Sequence, residues 1–244
     1  MTTQPSDSAR GLMAFWANIA VEHQPAYQRW HNAEHIPERV SIPGFVRGFR
    51  YRSVQDETRF LMYYETEGPE VLTSEAYLSA LNRPTERTRA ALKWFRDPMR
   101  NVYALSATWG HRPRSAAPIV AAARFAERTV WTDRVEPSVS LEIPLALHGC
   151  GARRFRVYRL DPAGSGMRTS EASLHGARSG LSGGLLLLES DDLELLDSST
   201  AWASLDAAVR NWAEEEGLAG VEALDVSSLE FALESERCQK DATE

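Results

Sequence analysis

His31 and His35 stand four residues apart in the stretch Trp30-His31-Asn32-Ala33-Glu34-His35-Ile36-Pro37-Glu38-Arg39. On a helix this spacing sets both rings on neighbouring parts of one face, with Gln28 and Glu34 close by. Imidazole titrates near neutrality, so either ring could give or take a proton in a pocket without extreme tuning. His35 is the first choice for acid or base. Pro37 follows it by two residues, lacks an amide donor and crowds the carbonyl of Ala33, so a kink or break just after His35 is expected, with a local opening beside the ring.

The second strand of the same region, Phe45 to Val54, carries Arg47, Arg50 and Arg52. Alternation puts Arg50 and Arg52 on one face and Arg47 with Tyr51 on the other. An arginine aimed into a partly apolar pocket binds a carboxylate or steadies an enolate-like oxygen, and Arg50 is the candidate for that role. Tyr64, with a phenol on the third strand, completes the catalytic set. Asn18, at the end of an apolar strand, is a substrate-binding candidate together with Trp16, Trp30, His31 and Tyr51, which could line a site for a flat apolar ligand. His31, Glu34 and His35 also spell H-x-x-E-H, the pattern of inverted zinc peptidases. Pro37 interrupts the helix at once and no third ligand stands out, so no metal is expected.

The elements that must position these residues follow from periodicity and turn signals. Gly11 to Val21 reads as a strand, and Pro25 suits the first turn of a helix running towards Val40. Ser41-Ile42-Pro43-Gly44 is a turn, followed by strands at Phe45 to Val54 and Arg59 to Thr66. Helical pieces around Ser74 to Leu81 and Pro84 to Phe95 precede a fourth strand, Arg100 to Trp109. The order is βαββαβ, the ferredoxin-like unit. Beyond a linker at Gly110 to Ala117 the pattern returns: strand Ile119 to Ala126, helix Glu136 to Leu147, strands Arg153 to Leu160 and Gly184 to Glu189, helix Ser199 to Glu216, and strand Val221 to Phe231. Asp161 to Gly180 reads as a long mobile loop.

An internal echo supports duplication. Gly44, Arg47, Tyr51 and Arg52 match Gly151, Arg154, Tyr158 and Arg159 at one constant spacing, at the turn and second strand of each half. The expected fold is therefore α+β: two tandem ferredoxin-like units, residues 11–110 with the site and 118–233 diverged, packed sheet to sheet as a barrel within one chain.

Composition narrows the function classes. The formal net charge of −7 argues against a general nucleic-acid binder, which needs a positive field. No apolar run reaches the roughly 18 residues of a membrane-spanning helix, and the first ten residues do not read as a secretory signal. Cys150 and Cys238 suggest neither a disulfide scaffold nor a thiolate metal site. A cytoplasmic protein fits these features. G-x-S-x-G, phosphate-loop and G-x-G-x-x-G motifs are absent.

The Trp30 to Arg39 stretch, followed by Ile42-Pro43-Gly44-Phe45 and Arg47-Gly48-Phe49-Arg50-Tyr51, resembles the EthD-like branch of the dimeric α/β-barrel superfamily. In that branch a helix bearing H-x-P precedes a P-G turn and a basic, aromatic second strand. The resemblance covers roughly residues 11 to 109. It implies two facing ferredoxin-like sheets with a pocket between a sheet and its helices. Members include small cyclases, isomerases, cofactor-independent oxygenases of aromatic compounds and, more distantly, haem-binding enzymes. The resemblance implies that the dimer partner is here fused in tandem, and Glu136 to Leu147 lacks the H-x-P element, so the second unit is expected to serve as a structural partner. The leading expectation is a cofactor-independent enzyme moving a proton on a small hydrophobic or aromatic carbonyl compound, in the manner of a cyclase, isomerase or dehydratase. The alternatives are a haem-dependent or haem-binding protein with a histidine axial ligand and a non-catalytic small-molecule binder. Further pairing into a homodimer is left open.

Overall fold

The computed structural model describes residues 9–110, 115–126, 138–140, 147, 151–178, 182–196, 198–218, 220–222 and 224–236. Alternation along β1 (Gly11–Asn18) sets the layering. Leu12, Ala14 and Trp16 point to one side and join an apolar cluster with residues of both halves, whereas Met13, Phe15 and Ala17 point to the other and pack under helices.

The chain runs from β1 through α1 (Gln24–Trp30) and α2 (Ile36–Val40) to β2 (Phe45–Ser53) and β3 (Arg59–Thr66). Two short helices, α3 (Glu75–Asn82) and α4 (Glu86–Ala91), then lead to the long β4 (Arg96–Gly110). Ser74 and Thr85 cap α3 and α4, their hydroxyl oxygens accepting from the Tyr77 and Thr88 amides. The remaining elements are β5 (Ile119–Ala126), β6 (Ser138–Ser140), β7 (Ala152–Leu160), α5 (Pro162–Ser165), α6 (Ser170–His175), β8 (Ser182–Ser190), α7 (Ser199–Glu215) and β9 (Asp225–Glu234).

Eight strands close a barrel in the order β1-β3-β2-β9-β5-β8-β7-β4, with β4 returning to pair with β1 and every pairing antiparallel. Closure leaves none of the eight with a free edge. Residues pointing inward fill the barrel: Phe49, Tyr51, Tyr63, Tyr103, Tyr158 and Leu187 pack with the β1 set. One buried polar layer crosses it. Arg156 of β7 donates to Glu65 of β3 at 2.5 Å, to Glu189 of β8, and to the Tyr158 hydroxyl at 2.7 Å. Ion pairs also line the β2–β9 seam, Arg47 with Glu234 at 2.8 Å and Arg50 with Glu230 at 2.9 Å.

The echoed positions occupy matching places. Gly44 and Gly151 both turn with positive φ, 88° and 59°, ahead of β2 and β7, and the strands they open carry Tyr51 and Tyr158 into the barrel. Outside the second half, α7 seats Leu205, Val209, Trp212 and Ala213 on its sheet.

Three expectations are corrected. First, the helix is not broken at Pro37. Residues His31–His35 form a π turn, in which the Ile36 amide donates to the His31 carbonyl five residues back, and the chain continues directly into α2. The wider turn takes up the register change that the missing Pro37 donor demands. Second, within the window Glu136 to Leu147, Ser138–Ser140 is a strand parallel to β4 rather than helix, in keeping with prolines at 137 and 144; residues 136, 137 and 141–146 lie outside the described residues. Third, much of Asp161 to Gly180 is folded: α5 and α6 run back along the outer edge of β4, where the Asp161 amide donates to the Val102 carbonyl and the Arg100 amide to the Arg178 carbonyl. Residues 179 and 180 lie outside the described residues.

Candidate functional site

The π turn widens the helix where the two histidines sit. Their ring centroids lie 5.5 Å apart and nearly parallel, and Trp30 packs on His35 at 4.5 Å. One helical turn further, Arg39 continues the same stripe. Beneath them the outward-facing residues of β1 and β3, Met13, Phe15, Met62 and Tyr64, form a floor. Tyr77, Leu81, Leu92 and Phe95 form a side wall. Across the top lies α6 from the second half, bringing Thr169, Glu171 and His175. The cavity is partly open to the outside and has a volume of about 40 Å³.

Each polar group around it has a traceable setting. Arg39, 1% exposed, pairs with Glu171 at 2.5 Å, fastening α2 to α6 across the cavity. Arg100 of β4 donates to the Gly164 carbonyl at 3.0 Å and to the Tyr77 hydroxyl at 3.3 Å. The His175 Nδ1 accepts from the Ala177 amide at 2.9 Å, and Phe15 meets that ring edge-on. Three buried atoms of the lining residues have no hydrogen-bond partner: His35 Nδ1, the Tyr64 hydroxyl and Arg39 Nη1, the last 3.4 Å from a Glu38 carboxylate oxygen.

All three imidazoles are held neutral near pH 7. Burial, reinforced by Arg50 and Arg39, pushes His31 well below the usual histidine range, and burial with Arg39 and the other two histidines does the same to His35. Burial and then Arg100 lower His175 to about 4. Burial drives the Tyr64 phenol well up despite Arg39, so it stays protonated. Burial also raises Glu171, against the opposing pull of Arg39.

Of the residues named from sequence, the structure brings His31, His35 and Tyr64 to one cavity. Trp30 stands behind them, its indole N–H reaching Thr88 Oγ1 at 3.3 Å. Arg50 does face the helices, but it lies one layer back. It donates to His31 Nδ1 at 3.2 Å and Asn32 Oδ1 at 2.7 Å while pairing with Glu230, so it contacts the site through His31 rather than directly. Tyr51 and Trp16 fall on the opposite face of the sheet, inside the barrel, where strand alternation necessarily sends them; the Tyr51 hydroxyl donates to the Ala117 carbonyl at 2.9 Å. Asn18 lies at the barrel mouth, in a separate recess shared with Trp16, Arg59 and Arg124. Glu34 turns away from the histidines to Thr85 and Arg87, and among the described residues no three His, Cys, Asp or Glu side chains converge as metal ligands.

Sequence reasoning missed Arg39, Tyr77, Arg100, Glu171 and His175. Arg39 had a signal, since residues 31, 35 and 39 share one helix face. So did α6: Thr169 caps it, accepting from the Ala172 amide, and Gly176 ends it at φ 66°. Arg100 carried none, since an arginine on a strand points to no particular neighbour.

No family model matches the sequence, and no curated protein matches it. Solved structures do share the fold. An anthrone oxidase-like protein is 12% identical with a TM-score of 0.54, the match covering 96% of each chain. A putative monooxygenase from Fusobacterium nucleatum is 6% identical with a TM-score of 0.53, covering 93% of this chain and 95% of that one. A putative chlorite dismutase, 13% identical, covers 91% of this chain and 96% of its own at a TM-score of 0.46. At these identities the likeness is one of fold alone.

Proposed function

We propose that the cavity between the first sheet and its helices is the active site of an enzyme that moves a proton on a small aromatic or hydrophobic carbonyl compound. The observation that carries this reading is that two buried polar atoms without partners, His35 Nδ1 and the Tyr64 hydroxyl, belong to residues lining the same cavity. Buried polar atoms are nearly always hydrogen-bonded, and leaving one unmet costs about 1–3 kcal/mol. A ligand carrying a carbonyl oxygen and a C–H acidified by conjugation with it would present a partner to each.

In the step envisaged, neutral His35 takes the proton from a carbon conjugated with the carbonyl. The C–H electron pair moves into the enolate, whose oxygen accepts from the Tyr64 hydroxyl. The proton then returns from the imidazolium to another atom of the same substrate, so the reaction is balanced without a co-reactant. A histidine held well below its ordinary range is a weak base, which favours a C–H made acidic by the substrate itself. Phenolic polycyclic ketones have that property, because losing the proton makes the central ring aromatic. The name of the anthrone oxidase-like neighbour points towards the same class. Arg39 and Arg100 add positive potential where the negative charge develops.

Against a haem stands the buried Arg39–Glu171 pair, which crosses the cavity between α2 and α6. We also read the chain as two ferredoxin-like units, 11–110 and 118–233, on the strand order and the echoed turn residues, and the H-x-P helix as the EthD-like feature of the first.

The test is solvent deuterium exchange at the acidic carbon of anthrone-type ketones, followed by NMR. The wild-type protein should accelerate it, and His35→Ala should remove roughly 10²–10⁴ of that acceleration, the usual worth of a positioned general base. Equal exchange with and without His35 refutes the assignment.

A further inference from the structure

Three imidazoles border the cavity, and two of them have one nitrogen committed from behind. At His31 the partner of Nδ1 is an Arg50 Nη1, 3.2 Å away. A guanidinium has donors only, so Nδ1 must accept, and the neutral ring carries its single proton on Nε2, at the edge away from Arg50. Arg50 is held in place for this by Glu230 at 2.9 Å and Asn32 at 2.7 Å. At His175 the partner of Nδ1 is the backbone N–H of Ala177, 2.9 Å away, which is likewise only a donor. That ring too carries its proton on Nε2. The two locks come from different halves of the chain and different elements, β2 in one case and the residues after α6 in the other.

Charge along the wall points the same way. Arg39 and Arg100 face one carboxylate, Glu171, whose Oε1 is already engaged by Arg39. Donors therefore outnumber acceptors around the cavity: two imidazole N–H groups, the Tyr64 hydroxyl and two guanidiniums. Among the three rings only His35 has an enclosed nitrogen without a partner to fix its state.

We infer that the cavity is a receptor for the oxygen end of an anion, a carboxylate or an enolate, which accepts from the Nε2–H groups of His31 and His175. Arg50 is a positioning residue in this arrangement, acting through His31. The inference rests on the cavity being the ligand site and names what the ligand must present there. A neutral amide of the same shape would turn its own N–H₂ towards these donors and be rejected.

The experiment uses the full chain labelled with ¹⁵N in its histidines, near neutral pH, with acetate as probe and acetamide as its uncharged counterpart. His31 and His175 should both show the Nε2–H tautomer, and acetate should shift the ring signals of both at concentrations at least tenfold below those acetamide requires. A proton on Nδ1 of either ring, or equal response to the two probes, overturns the inference. Arg50→Gln, whose amide can accept as well as donate, should leave His31 a mixture of tautomers with His175 unchanged; an unchanged His31 signal in that variant also overturns it. If that variant does not fold, the wild-type tautomers and the two titrations decide alone. No turnover is read. Correct tautomers and acetate binding without His35-dependent exchange would sink the proton-transfer reading and leave this one standing, and the reverse pattern would sink only this one.

Discussion

Replacing Glu171 by Ala should cost about 3 kcal/mol of stability, and most of that cost should come from what is left behind. Arg39 is 1% exposed and its Nη2 lies 2.5 Å from Glu171 Oε1. Breaking a buried pair by removing one partner costs roughly 3–5 kcal/mol, because the other charge stays desolvated. Glu38 remains 3.4 Å from the Arg39 Nη1 but is 32% exposed, so it offsets little and sets the expectation at the lower end. Replacing both partners, Arg39→Met with Glu171→Leu, removes the stranded charge and should recover most of the loss. The assay is urea denaturation of the wild type, both single variants and the double variant at one pH, with hydrogen exchange at α6 to show whether the helix lifts off before the barrel unfolds. A loss below about 1 kcal/mol for Glu171→Ala, or a double variant weaker than either single, would refute the account of α6 as held by a buried ion pair.

Gly48→Ala builds a Cβ 2.8 Å from Tyr64 Cε1 and 3.1 Å from Ile36 Cγ2, so it should cost about 1–3 kcal/mol in denaturation and also weaken deuterium exchange by displacing the phenol. Ser198→Ala removes the oxygen that accepts from the Ala201 amide at the start of α7; a loss of about 1 kcal/mol is expected, with no effect on the cavity. Acid should destabilise the protein through its histidines. His175 falls from 6.5 unfolded to about 4 folded, so between these values the unfolded chain binds the proton and the native one does not. Stability from this group is complete above pH 6.5 and is lost as the pH falls towards 4, with His31 and His35 shifted in the same direction. The urea midpoint should fall over that window, and His175→Phe should flatten part of the slope; a flat midpoint from pH 7 to 4.5 refutes the shifts.

The legible part of the sequence was the part governed by local periodicity. Alternation in Phe45 to Val54 placed Arg50 and Tyr51 on opposite faces, and the structure has them there, yet alternation says nothing about which face holds the cavity. Hence sequence alone groups Trp16 and Tyr51, inside the barrel, with residues from the other side of the sheet. Arg50 looked like a ligand contact because its partners, His31 and Glu230, come from a helix and from the other half of the chain. The site's far wall was hidden for a similar reason. Glu171 and His175 sit in a connection between β7 and β8 that resembles a polar loop by composition, and only its packing against β4 shows why it folds over the first half. The central claim, that one ligand is held jointly by the π-turn helix of the first half and α6 of the second, is tested most directly by a crystal structure with an anthrone-type ketone or its enolate bound. The oxygen is expected beside Tyr64 with the rings of His31, His35 and His175 around it. Density in the recess between Trp16 and Arg124 instead, with the cavity unchanged, would contradict the account.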